Sequence, residues 1–403
     1  MKHLVIKNIG TIKDVDIELK KINVIIGPQA LGKSTILKIA SFCSWVEKRI
    51  ELSQDPNIFK REDYFKSELI KFHKMDGYFK KGALIKYSSN YMSFSYNYDE
   101  DEFLFRWKKR WLYKRSKISY IPSERNIVAA IPNWFEVSME RNNIRSFMTD
   151  WEFARKSETN DRQILNLNLS YHYDKETRKD QISVGNNEYI DFTNTSSGLQ
   201  SLVPMYIFLN YLYSLTHTDN KINNLADEWT GNDLLNIIYK ELFKKKNKAD
   251  LDNSIWQDQV TGNIHIIEMP FIVRTASNMV YKFGSQEYKD EFLDVCNNYL
   301  QTNHCDIYLE EPENNLFPTT QADVVDWLLE KTKSNDSNTL MITTHSPYIL
   351  TSFLSKKEEI GMFVAYRLDD RHSTIKSLNA EDQSYIYDYG IDAFFNLENL
   401  IEE

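Results

Sequence analysis

The sequence predicts an α/β fold: a parallel core sheet with helices, joined to a β-rich lobe, with no long coiled coil. Three observations predict it. A short apolar run, Val24–Ile26, leads into a glycine-spaced loop and then a helical period. Two more apolar runs, Ile307–Leu309 and Thr339–Thr343, end in charged or polar residues and are separated by one helical stretch. Between these, residues 84–98 and 103–107 alternate apolar with polar, the period of antiparallel strands.

Composition sets the bounds. The 403 residues are 42% hydrophobic and 13% aromatic, enough to fill a large core. No eighteen-residue apolar run occurs, so no membrane contact is expected. The start, MKHLVIKNIGTIKD, reads as strand and turn rather than a leader. Three cysteines share no metal-ligand spacing, and reduced thiols in a cytoplasmic protein are expected. A net charge of −9 disfavours a chain that coats nucleic acid with its whole surface, but leaves room for a local basic patch.

In chain order, residues 1–30 predict three strands. The third runs into Gly27-Pro-Gln-Ala-Leu-Gly32-Lys33-Ser34, which fits G-x-x-x-x-G-K-[ST] at every fixed position. Only 12 glycines occur in the chain, so two at this spacing point to a backbone requirement. Strand, glycine loop and helix (residues 34–48) in that order form a phosphate-binding loop. Its N–H groups would curl around phosphate oxygens at the positive end of the helix dipole. Lys33 would reach the β- and γ-phosphates, and the Ser34 hydroxyl would ligate Mg²⁺.

Residues 84–98, 103–107 and 117–121 predict further strands. Across 106–117, RWKKRWLYKRSK, seven Lys or Arg are interleaved with Trp107, Trp111 and Tyr113. Phosphate neutralisation and base stacking are one reading, with nucleic acid as partner through Arg106–Lys117. The other, which carries more weight, packs the aromatics inward and leaves the cations in water. About 65 residues, 127–191, show no heptad, and 170–191 predict a hairpin around Asp174–Lys179. Thr193–Leu202, TNTSSGLQSL, opens an apolar helix through Leu215, with Ser196 or Ser197 as its cap. A polar helical insertion is expected at about 218–263.

Residues 307–318, IYLEEPENNLFP, place Glu310 and Glu311 side by side at the end of an apolar run. Alone, such a pair is a capping residue and a solvated neighbour. Beside a phosphate loop, Glu310 is expected to hold the Mg²⁺ shell and Glu311 to polarise the attacking water. One helix (319–331) and one strand later comes Thr344-His345-Ser346-Pro347. A parallel sheet would set His345 beside the carboxylates, where it could sense the γ-phosphate.

Together these stretches resemble the ABC-type ATPases of the SMC and OLD group across roughly residues 1–380. Gly27–Ser34 matches the Walker A motif, and Ser196–Gln200 is similar to a degenerate signature motif. Ile307–Pro312 resembles Walker B with its following glutamate, Glu313–Pro318 the family's E-P-E-x-x-L-x-P, and Thr344–Pro347 the H-loop. Ile121–Asn126 resembles a stretch in anti-phage ATPases of the Septu, retron-linked and PARIS systems. Two departures stand out. Glu310 replaces the usual Asp, and Ser123-Glu124-Arg125 stands where many relatives carry a glutamine loop.

The resemblance implies an ABC-ATPase head-like P-loop NTPase that binds ATP and Mg²⁺ and hydrolyses ATP slowly. It implies a head-to-head homodimer or higher homo-oligomer. Gly27, Pro28, Gln29, Gly32, Lys33, Ser34 and Thr35 of one subunit, with Ser197 and Gly198 of the other, would hold the nucleotide. Lys33, Glu311 and His345 would be catalytic, and Ser34 and Glu310 would take the metal. The expected units are 1–193, 194–380 and a tail, 381–403. The expected role is the sensor or regulatory subunit of an anti-phage system, controlling a separate nuclease or toxin. Alternatives are a non-hydrolysing scaffold for a toxin and an SMC/RecF-like DNA-repair ATPase. An autonomous OLD-type nuclease is disfavoured, because the 58 residues after His345 (403 − 345) hold no spaced carboxylate set.

Overall fold

The computed structural model describes residues 2–186, 188–217, 233–244, 255–257, 264–266, 271–274, 280–356, 359–395 and 398–401. Its strands, in order, are β1 Lys2–Ile9, β2 Ile12–Leu19, β3 Ile22–Ile26, β4 Phe79–Ser88, β5 Met92–Asn97, β6 Glu102–Trp107 and β7 Ser116–Ile121. There follow β8 Arg162–Gln163, β9 Ser170–Asp174, β10 Lys179–Gly185, β11 Glu188–Asp191, β12 Ile255–Gln257, β13 Ile264–Ile266, β14 Phe271–Arg274 and β15 Val280–Phe283. The last four are β16 His304–Glu310, β17 Thr339–Thr344, β18 Ile360–Arg367 and β19 Ser373–Ser377. The helices used below are α1 Lys33–Ser53, α2 Tyr64–His73, α3 Ile127–Ala130, α4 Asn143–Ser157, α5 Ser197–Ser214, α6 Gln286–Leu300, α7 Pro318–Lys333, α8 Pro347–Leu354 and α9 Ala380–Tyr389.

One eleven-stranded sheet runs β6-β5-β4-β1-β2-β19-β18-β3-β17-β16-β7. From β18 to β7 every pair is parallel. From β2 to β6 every pair is antiparallel. β19 joins the halves, antiparallel to β18 and parallel to β2. This is the expected α/β class with a β-rich lobe, and among the described residues no helix exceeds the 21 residues of α1.

The core strands read as continuous apolar runs because both faces are covered. Ile22, Val24, Ile26, Ile307, Leu309, Leu340 and Ile342 pack into one core, while Ile25, Tyr308 and Met341 pack into the opposite one. Neighbouring strands are in register, with Thr344 beside Ile26 and Glu310 beside Thr343. All three strands therefore end along one edge. Strands from before and after residue 193 pair in this single sheet.

The alternating run 84–98 proves to be two strands, because Ser89 breaks it: its backbone N–H bonds to Met92 O, and its hydroxyl accepts from the N–H of Tyr91 and Met92. The expected hairpin at 170–191 is part of a four-stranded sheet, β11-β10-β9-β8. The insertion expected at 218–263 lies largely outside the described residues.

Candidate functional site

The glycine loop leaves β3 where only glycine fits. Gly27 has φ 151°, and a Cβ there would lie 2.5 Å from the carbonyl oxygen of Ala365 on β18. Gly32 has φ 81°, and a Cβ there would lie 2.8 Å from Ile12 Cγ1. The helix α1 starts at Lys33 with no side chain capping its first turn. Its leading N–H groups and dipole therefore face the loop, the arrangement that binds an anion. Pro28 and Gln29 are exposed, Ser34 is half-buried and Thr35 is buried.

The Lys33 ammonium is folded into this loop. It donates to the carbonyls of Gly27 and Pro28, both at 2.7 Å. Burial lowers its pKa to about 8, against the pull of Glu311 and Glu313 in the other direction.

The sheet order supplies the next contact. β17 lies between β3 and β16, so the residue after its end stands between the loop and the carboxylates. That residue is His345. Its Nδ1 is 3.3 Å from Lys33 Nζ, and its Nε2 is 3.6 Å from Glu311 Oε1. Burial, followed by the nearby Lys33 charge, lowers its pKa and keeps the ring neutral. The ring lies between the Lys33 ammonium on its Nδ1 side and the Glu311 carboxylate on its Nε2 side. Cation, neutral ring and anion thus form a line across three adjacent strand ends.

Glu310 and Glu311 point to different neighbours despite being consecutive. The Glu310 side chain is buried, with Oε1 accepting from Tyr120 Oη at 2.6 Å and Oε2 from the Ser123 N–H at 3.1 Å. Glu311 sits at φ 42°, a left-handed conformation that costs a non-glycine residue free energy. Three bonds hold it there. Its N–H donates to Thr343 O at 2.8 Å, and its carbonyl accepts from Arg125 Nη2 at 2.7 Å and from the Asn314 N–H at 3.2 Å.

Arg125, whose role the sequence left open, is fully buried, and its hydrogen bonds all go to backbone carbonyls. It also donates to Glu310 O at 2.8 Å, Ser201 O at 2.9 Å and Pro122 O at 3.4 Å. Burial lowers its pKa to about 10, offset by Glu313, Glu311 and Glu310, so it stays charged. In this chain the stretch after β7 is a clamp that fixes where the two glutamates point.

Glu313 was not singled out by the sequence reading as a site residue. Its Oε1 accepts from the His345 N–H at 2.7 Å, and its Oε2 is enclosed without a hydrogen-bond partner. Burial raises its pKa, against the His345 N–H bond. Its place in E-P-E-x-x-L-x-P was the only signal available.

Ser197 and Gly198 are held elsewhere. They open α5, where Ser196 is the cap, accepting from the Leu199 N–H. Gln200 donates to Thr193 O and Thr195 O, so it braces its own turn. A Cβ on Gly198 would lie 2.9 Å from Asn315 O, which presses this turn onto the segment following Glu311. Ser197 itself is exposed. The loop, His345 and Glu311 are therefore brought into contact within one chain, whereas Ser197 faces outward.

Most cations of the basic stretch are engaged internally. Lys108 donates to Ser88 and Ser89, and Arg110 donates to Gln54 while lying over Trp107 and Trp111. Arg115 donates to Leu300 O and Lys117 pairs with Asp150. Tyr113 is buried against Tyr91 and Tyr299. Tyr113 packs inward as the second reading expects, whereas Lys108, Arg110, Arg115 and Lys117 bond within the protein rather than staying in water.

Among the described residues no cluster of three or more His, Cys, Asp or Glu forms a metal site. Ser34 and Glu310 carry hard oxygen donors of the kind Mg²⁺ takes, and in this structure both Glu310 oxygens accept from Tyr120 and Ser123. No helix among the described residues is long and apolar enough to cross a membrane.

No protein-family model matches the chain, and no curated protein matches it in sequence. Solved structures do. An SMC head bound to the C-terminal winged-helix domain of ScpA is 10% identical, with 95% of this chain and 99% of that one covered and a TM-score of 0.41. The SMC head domain from Thermotoga maritima is 9% identical, with 94% and 98% covered and a TM-score of 0.40. An Smc head domain with an extended coiled coil from Pyrococcus furiosus, bound to the C-terminal domain of ScpA, is 11% identical, with 96% and 99% covered and a TM-score of 0.32. At these scores the resemblance adds nothing to what the sheet order and the loop geometry establish.

Proposed function

We propose that this chain binds ATP with Mg²⁺ at the Gly27–Ser34 loop and hydrolyses it slowly. The observation that carries the reading is the line Lys33–His345–Glu311 across three neighbouring strand ends. A phosphate loop alone implies binding. A neutral imidazole beside the loop lysine, and a carboxylate beside that imidazole, add what hydrolysis needs, a group to orient water and one to sense the terminal phosphate. Mg²⁺, held by Ser34 and Glu310, would supply charge neutralisation for the phosphates. In this reading Lys33 exchanges its two carbonyl partners for phosphate oxygens, and Glu311 is freed to accept a proton from water.

The exposed Ser197, at the start of α5, supports a head-to-head dimer in which a second copy completes each site with Ser197 and Gly198. The Ile121–Asn126 resemblance supports a regulatory subunit of a prokaryotic anti-phage system that controls a separate nuclease or toxin.

Two variants test the site. Lys33→Ala is expected to lose ATP binding in equilibrium titration. Glu311→Gln is expected to keep binding and to lose about 100-fold or more in turnover. It should also gather ATP-bound dimers, seen as a concentration-dependent mass increase. Wild-type turnover by Glu311→Gln would remove Glu311 as the water-polarising group. A parent chain that binds ATP without turning it over would favour the scaffold reading.

A further inference from the structure

Glu313 stands two residues past Glu311, on the turn between β16 and α7. That turn is tight: the Asn314 N–H donates to Glu311 O at 3.2 Å, and the Leu316 N–H donates to Glu313 O at 2.9 Å. The Glu313 side chain does not stay with its own strand. It reaches across to the end of β17, where its Oε1 accepts from the His345 N–H at 2.7 Å. His345 is the first residue beyond the β17 ladder, whose last pairs set Thr343 beside Glu310 and Thr344 beside Ile26. Its N–H has left the ladder and needs another acceptor. The peptide that follows is held separately. The Ser346 N–H donates to Thr344 Oγ1 at 2.9 Å, and the Ser346 hydroxyl donates to Gln321 Oε1 at 2.5 Å. The backbone is thus fixed on both sides of one imidazole.

A carboxyl is a costly way to satisfy one N–H. Burial raises the Glu313 pKa, against the bonds from the His345 N–H, its own N–H and the Thr344 hydroxyl, and the Glu311 charge adds to the rise. A neutral serine or asparagine would answer a backbone donor with less desolvation. What the longer side chain adds is reach, because it ties the backbone of His345 to the strand that carries Glu311. The 3.6 Å from His345 Nε2 to Glu311 Oε1 and the 3.3 Å from its Nδ1 to Lys33 Nζ span strand ends that this contact locks together.

We propose that Glu313 is a positioning residue for turnover: it holds the His345 backbone, and through it the ring, between Lys33 and Glu311. Its hydrogen bond goes to backbone outside the phosphate loop, so ATP binding should not depend on it. The role rests on the reading of Gly27–Ser34 as the ATP loop and of His345 as part of the reaction.

Steady-state kinetics and equilibrium ATP titration of the full chain test it. Glu313→Ala is expected to lower kcat about tenfold or more, with ATP affinity within about twofold of the parent. A loss of affinity in step with kcat would mean a general loss of the site and overturns the role. Glu313→Gln keeps an accepting oxygen at the same reach and should recover most of the turnover. Glu313→Asp keeps the charge but is one methylene short, and should resemble Glu313→Ala. Recovery by Asp and not by Gln overturns the role, since charge rather than the cross-strand bond would then matter. In a His345→Ala chain, adding Glu313→Ala should cost about twofold or less, because the residue acts through the missing ring. A further tenfold loss there overturns it as well. Circular dichroism reports whether each variant is folded, and Glu313→Asp takes the place of Glu313→Ala if that chain does not fold. Crystal structures of the ATP-free variants read the contact without turnover. The His345 ring should leave its place in Glu313→Ala and keep it in Glu313→Gln, and an unmoved ring in Glu313→Ala overturns the role. A displaced ring in a protein whose parent binds ATP but never turns it over would remove the hydrolysis reading and leave the positioning intact.

Discussion

Arg125 shows how much of a site can rest on a side chain that hydrogen-bonds only to backbone. Its fork holds the carbonyls of Glu310 and Glu311, fixing the left-handed turn between them. Arg125→Met should therefore cost about 1–3 kcal/mol for each buried carbonyl left without a donor, measured by denaturant unfolding. Arg125→Lys should recover little, since a point charge cannot bridge carbonyls that a planar fork spans. Gly27→Ala should also destabilise, because its methyl would meet the Ala365 carbonyl. At this scale the loop, both glutamates and His345 were legible, since each belongs to a spaced motif. The clamp was not. Two of the four carbonyls Arg125 bonds lie 185 and 186 positions away, and no local pattern distinguishes an arginine destined for burial from a solvated one.

Among elements, α1 departs most from its sequence pattern. Its apolar period, Ile36, Ile39, Ala40, Cys43 and Val46, was visible and lies buried. A second, polar stripe is buried as well. Ser44 meets Tyr308 Oη at 2.6 Å, Glu47 accepts from Tyr87 at 2.8 Å and from Ser89, and Glu51 accepts from Tyr299 at 2.9 Å. Lys2 reaches the same layer through Ser44 and Asp306. A helix this polar on one side reads as half-solvated, and only the tyrosines arriving from distant elements make its burial possible. Burial lifts the Glu51 pKa from 4.5 to about 8, against the Tyr299 hydrogen bond. The folded value lies above the unfolded one, so the stability it contributes is full below about 4.5 and is lost as pH rises through about 8. Glu51→Gln should flatten that slope, which is at most about 1.4 kcal/mol per pH unit, in chemical unfolding measured across this window.

For the whole molecule, the sequence conveyed the class and the parallel order of the motif strands but not how the two halves of the sheet meet. The join is β19, a short polar strand, STIKS, that no periodicity marks. It stands in mid-sheet between β2 and β18. Ending the chain at residue 372 should therefore abolish cooperative thermal unfolding rather than trim a tail, a result calorimetry would show. The join is also narrow. β19 pairs with β2 at only two positions, with a register shift between them. At that spot the Ser373 hydroxyl bonds to Thr11 Oγ1 and to the carbonyl of Leu31, both at 3.1 Å. Leu31 is part of the phosphate loop. A seam two residues wide makes fewer ladder pairings than the strand pairs on either side of it, and it adjoins the loop through Leu31. Rocking of the antiparallel lobe would move the floor on which phosphates rest, so a tug on that lobe would reach the loop as a change in its shape.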